Sequence, residues 1–161
     1  NKRNRIDKER SSMNTIGVFG GKTTEQAELA YSVVEFCINR LMPRMKTLDV
    51  CVELSDDMES ADGYCLAVDN REFVIEIDSN LEDDDFITAI THEMVHVKQH
   101  ARNELKDCKE LALKKWKGEE HIAMYTTVEE YMNLPWEEEA YRLQEVLLNE
   151  YKALISNREK S

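Results

Sequence analysis

The sequence predicts a single α+β domain. Three segments carry apolar residues at helical spacing, and between them lie short runs that alternate or cluster apolar residues as strands do. The third observation is size. At 161 residues the chain is long enough to bury one core, and 42% hydrophobic with 34% charged residues is ordinary for a folded domain. No internal repeat or low-complexity segment divides residues 1–161.

In chain order, the opening NKRNRIDKER has five basic and two acidic residues and no apolar run, so residues 1–15 read as a flexible basic tail. MNTIGVFGGKTT (13–24) reads as a loop ending in Thr23 and Thr24, good N-caps, with Gln26 at capping-box spacing. A helix then runs to about Met42, with Ala30, Val33, Val34, Cys37 and Leu41 on one face and Pro43 at its end. LDVCVEL (48–54) is strand-like. YCLAVD and EFVIEID form two further strands, joined around Asp69-Asn70-Arg71 as a hairpin. The sheet is therefore expected to be small and mainly antiparallel. Ser79 and Glu82 have capping-box spacing before a helix over about 83–105, and three aspartates occupy its first turn, where the helix dipole favours negative charge. Residues 106–134 have no clean period and read as part helix, part loop. Pro135 suits the first position of a last long helix, to about Leu154.

ITHEMVHVKQH (90–100) holds three of the four histidines. On a helical wheel Phe86, Ile90, Met94 and Val97 form the core stripe. His92 and His96 lie on another flank, roughly 40° apart. Two imidazoles one turn apart can converge on one ion, and Glu93 beside them can reach a water on that ion. This is why H-E-x-x-H on a helix suits a zinc hydrolase. The competing reading is an amphipathic helix whose histidines are merely exposed. Geometry opposes His100 as a third ligand, because eight residues from His92 is about 12 Å along the axis. It reads as a surface or supporting histidine.

The third ligand must come from elsewhere. In LPWEEEAYRLQEVL (134–147), Glu137 falls within the stripe of Trp136, Ala140, Tyr141, Leu143, Leu147, Leu148 and Tyr151. Glu138 and Glu139 point well over about 100° from its centre and read as solvated. A carboxylate on a buried face needs a charged partner, which zinc would supply. The alternative is a partly exposed Glu137 that only complements the helix dipole. Glu139 and His121 stay open as other third ligands.

HEMVH followed by PWEEEAY resembles the gluzincin branch of HExxH zinc metallopeptidases. It is most similar to the minimal-domain members grouped as SprT-like or ImmA-like, many of them from phages. The resemblance spans about residues 72–148 and implies a zincin-like fold. There the histidine helix lies beneath the sheet with a helix on either side of it in sequence, and the strand before it, EFVIEID, borders the cleft as an edge for an extended peptide. It also implies a Glu-x-x-Ala-[Asp/Asn] setting for the third ligand, which Glu137 through Ala140 reproduces. Tyr141 departs from it, so support for the histidines must come from Tyr141 or another group. The implied activity is peptide hydrolysis, with zinc (Zn2+) on His92, His96 and Glu137 and with Glu93 as general base. His121, Tyr125 and Tyr131 are unranked candidates for a transition-state donor.

A net charge of -12 argues against nucleic acid or an anionic membrane as the main partner, leaving a peptide or protein substrate. No stretch reaches the roughly 18 apolar residues of a membrane span, so the expected location is cytoplasmic. Cys37, Cys51, Cys65 and Cys108 lack Cys-x-x-Cys spacing and read as reduced. Two other classes remain: a non-catalytic metal-binding module on the same scaffold, and a nucleotide-binding module built on GGKTT (20–24), which lacks one residue of P-loop spacing.

Overall fold

The computed structural model describes residues 13–110 and 112–160. Of the expected tail, residues 1–12 lie outside the described residues, and Thr15 already begins a strand. The order is β1 (Thr15–Gly20), α1 (Thr24–Leu41), β2 (Asp49–Ser55), β3 (Gly63–Ala67), β4 (Glu72–Asp78), α2 (Asp83–Ala101), β5 (Leu105–Asp107), β6 (Leu113–Trp116), β7 (Glu119–Ile122), α3 (Val128–Met132) and α4 (Pro135–Lys160). The architecture is α+β, with a small mixed sheet and a long C-terminal helix.

That sheet has the order β1-β2-β4-β3. β1–β2 and β2–β4 pair in parallel and only β3–β4 is antiparallel, so the expectation of a mainly antiparallel sheet is corrected. The local sequence of β1 reads as loop because only Ile16 and Val18 face the core, with Gly17 between them and Phe19 pointing outward. Its parallel pairing with β2 makes it a strand, and local sequence does not encode that partner. The same pairing corrects the edge assignment. β4, EFVIEID, lies between β2 and β3, and β3 is the free edge on that side.

Period-2 alternation decides which sheet face is buried. Val50, Val52 and Leu54 of β2 and Phe73, Ile75 and Ile77 of β4 all point inward. Helices α1 and α2 pack on this face, and α4 packs across α2 and α1 rather than on the sheet. Helix α1 starts as expected: Thr23 Oγ1 accepts from Gln26 N at 3.1 Å and Gln26 Oε1 accepts from Lys22 N at 2.9 Å. The Ser79/Glu82 capping box does not form. Ser79 is buried, its N–H donates to Ser55 O, and Glu82 is an N-cap without a side-chain bond. Strands β5, β6 and β7 form a second, antiparallel sheet where part helix, part loop is expected, and the helical part of that region is α3. These strands are too short to show a period. Lys117 and Gly118, at φ 50° and 85°, make the two-residue turn between β6 and β7.

Among the described residues no helix is long and apolar enough to cross a membrane. The four cysteines are free thiols, with Cys37 fully buried in the core.

Candidate metal centre

Helix α2 lies between the sheet and α4, so it is buried on nearly every side: Phe86, Ile90, Met94 and Val97 face the core, and Glu93, His96 and Gln99 are buried too. Helix α4 runs antiparallel to it, with Gln99 opposite Trp136, His92 opposite Gln144 and Asp84 opposite Lys152. This crossing carries the first turn of α4 onto the histidine flank. Glu137, only 4% exposed, places Oε1 3.0 Å from His92 Nε2 and 3.1 Å from His96 Nε2. One ligand atom from each of the three lies within 4.8 Å of the others.

The far side of each ring fixes what the near side can be. His96 Nδ1 lies 2.8 Å from Gln99 Oε1. The orientation of Gln99 is settled by its amide nitrogen, which donates to Trp136 O at 2.9 Å and to Glu139 Oε1 at 3.1 Å. Its oxygen therefore faces His96, and Nδ1 must be the donor. A neutral His96 then presents a lone pair at Nε2, aimed at a carboxylate oxygen. His92 has the same kind of partner, its Nδ1 lying 2.8 Å from Gln144 Oε1, and as the donor there it too leaves a lone pair at Nε2. Two lone pairs converging on one carboxylate oxygen require positive charge between them, supplied by protons or by a cation. Without a cation, burial lowers the His96 pKa, but Glu137, Glu93 and Gln99 outweigh it and raise it to about 9. Burial likewise works against the Glu137 anion, yet both histidines hold its pKa at about 2.

No known family model, curated protein or solved structure matches this chain.

Glu93 is 5% exposed and its Oε2 is buried without a hydrogen-bond partner. Burial is the main reason its pKa is raised above the usual carboxylate range. Gly63, the first residue of β3, passes directly over it: a Cβ there would lie 3.1 Å from Glu93 Cγ and 3.0 Å from Ile77 Cδ1. The edge strand and the acid are therefore in contact, and they share the wall of a cleft of about 1120 Å³ with His92, Tyr131, Tyr141 and Gln144. The Tyr141 ring lies edge-on to His92, with centroids 4.7 Å apart. Burial, together with the nearby Glu137 carboxylate, keeps the Tyr131 hydroxyl protonated well above the usual range. Tyr125 packs against Tyr131 at 4.9 Å.

The remaining candidates lie elsewhere. His100 faces Phe73, with centroids 6.4 Å apart. His121, on β7, is 6.2 Å from the Trp136 ring and outside the cluster. Glu138 is exposed, as expected. Glu139 is not the solvated carboxylate that the wheel implied. It pairs with the nearly buried Lys98 Nζ at 2.8 Å and accepts from Gln99. Glu104 completes the group at 2.7 Å from the same ammonium. The wheel misplaces Glu139 because it treats α4 as having one covered face, whereas Lys98 and Gln99 at the end of α2 cover a second. Sequence carries only a local signal for Gln99 and Gln144 as supports: Gln99 lies three residues after His96, and Gln144 two turns after Glu137 on one face.

GGKTT serves the turn into α1. Gly20 and Gly21 take φ 79° and 94°, and a Cβ on Gly20 would meet Leu54 O at 2.4 Å. The N–H groups of Gly21 and Lys22 are already bonded to Leu54 O and Gln26 Oε1. The adjoining hollow is lined by Glu53, Asp56 and Glu76 against one cation, Lys22, so its net charge would repel a phosphate.

Proposed function

We propose that this chain is a zinc-dependent peptidase. The observation that carries the reading is the convergence of two Nε2 lone pairs and a buried carboxylate, each ring fixed from behind by a glutamine, beside an unpartnered Glu93. Two imidazoles and one carboxylate are a donor set that zinc accepts, with a position left open. Zinc so held would lower the pKa of a water toward neutrality and polarise the scissile carbonyl. This supports the resemblance to gluzincin-type HExxH peptidases, with Gln99 and Gln144 in the supporting role that an acidic residue usually fills there.

The chain's own groups then divide the work. Glu93, raised in pKa by burial, accepts a proton from the attacking water and delivers it to the leaving amine. Tyr131 keeps its proton and can donate to the oxyanion as it forms. The free edge of β3, in contact with Glu93 through Gly63, offers backbone groups to an extended peptide.

Zinc titration of metal-free protein tests the reading. The expected stoichiometry is one. With its pKa raised to about 9, His96 is protonated in the metal-free protein at pH 7, so binding should release about one proton. Affinity should then rise by about tenfold per pH unit between pH 7 and 9. Far less than one equivalent bound would remove the proposal. Stoichiometric zinc without hydrolysis of any peptide pool would leave a metal-binding module.

The supporting shell makes a graded prediction. Gln99→Ala should weaken zinc binding by about 10- to 100-fold, the range for groups behind a ligating histidine. Glu139→Ala should have a smaller effect, because it acts through Gln99, and Glu138→Gln should have none. Competition with a chelator ranks the three, and equal affinity for all would mean that Gln99 does not orient His96.

A further inference from the structure

The cleft beside Glu93 has a charge pattern that peptide hydrolysis itself does not require. Its rim carries Asp62 in the turn before β3, Asp85 on α2 and Glu145 on α4, and no lysine or arginine lines it. Three separate elements thus bring like charges to one hollow, against their mutual repulsion. All three carboxylates are exposed, and none is in an ion pair among the described residues, whereas the neighbouring Asp84 is already neutralised by Lys152 at 2.8 Å. Asp62 is near enough to Tyr141 to act on its hydroxyl. The helix dipole explains a carboxylate in the first turn of α2 but not one in the middle of α4 or in a turn. Tyr125, Tyr131 and Tyr141 add aromatic faces of the kind that attract cations. The buried Glu93 Oε2, without a partner, is part of the same wall.

Building on the peptidase reading, we propose that the cleft selects peptides carrying lysine or arginine within about three positions of the scissile bond. The distance follows from the helix. Asp85 lies seven residues before His92, about 10 Å along the axis, and an extended chain advances about 3.3 Å per residue. The carboxylates are spread along this wall: Asp62 adjoins Gly63 over Glu93, Glu145 adjoins Gln144 beside His92, and Asp85 lies farther out, while the Lys152 ammonium near the rim is already paired with Asp84. A low-dielectric wall of one sign also concentrates cationic ligands from solution.

Binding tests this independently of turnover. Zinc-loaded Glu93→Gln protein is titrated with two labelled pools of short peptides, identical except that one carries arginine where the other carries glutamine. The arginine pool should bind about tenfold more tightly at low salt, and the difference should shrink as salt screens it. The triple variant Asp62→Asn, Asp85→Asn, Glu145→Gln should lose that preference while keeping zinc stoichiometry and melting temperature. Equal affinities, no binding of either pool, or a preference that survives the triple substitution would overturn the proposal. The parent protein is assayed on the same pools for cleavage. A binding preference without cleavage would uphold the ligand class and sink the peptidase reading. Cleavage of both pools at equal kcat/KM would do the reverse.

Discussion

Glu93→Gln should lower peptide hydrolysis by about 1,000-fold, within the 10²- to 10⁴-fold range of a general base, while zinc stoichiometry stays at one. The amide keeps the shape beneath Gly63 but cannot accept the proton. The same change should raise the melting temperature of the metal-free protein. Glu93 is 5% exposed, one of its oxygens has no hydrogen-bond partner, and burial disfavours its charged form. A neutral amide relieves part of that cost. Lost turnover with gained stability is the signature of a residue held in place for chemistry. Turnover equal to the parent's would remove Glu93 as the base, and a large loss of stability would make it a structural residue.

Glu137→Gln should weaken zinc binding by more than the roughly 100-fold that a supporting residue costs, because it removes an anion from between two imidazoles. In metal-free protein it should also change how stability depends on pH. The His96 pKa is raised from 6.5 to about 9, so its contribution is fully present below about pH 6.5 and is lost as pH rises through 9. The Glu137 pKa is lowered from 4.5 to about 2, so its contribution is present above about pH 4.5 and is lost as pH falls toward 2. The stability gap between parent and variant should therefore be widest near pH 5–6.5 and close above pH 9. Denaturant titrations of both proteins across that range, with chelator present, measure it. A gap independent of pH would mean that the carboxylate and the imidazoles are not coupled. Unchanged zinc affinity would move the third ligand away from Glu137.

Some of this molecule was decided by short-range pattern. Helix α2 and its histidine pair follow from periodicity, since residues four apart share a flank wherever the helix is placed. The β3–β4 hairpin follows from alternation and a turn-forming Asp69-Asn70-Arg71, and Glu137 follows from lying on the apolar stripe of α4. These depend on the chain's own geometry over a few residues, which the sequence determines alone. Tertiary structure decided the rest, because contacts between distant segments have no local signature. β1 is a strand only because β2 lies beside it. That pairing puts EFVIEID in the middle of the sheet and leaves β3 as the edge over Glu93. Glu139 reads as solvated on an isolated helix and is a half-buried ion-pair partner once Lys98 is set against it. Gln99 and Gln144 became supports only when the antiparallel crossing of α2 and α4 aimed their oxygens at the histidines. The wheel brought each of the three side chains to a face. The packing of two helices brought the faces together.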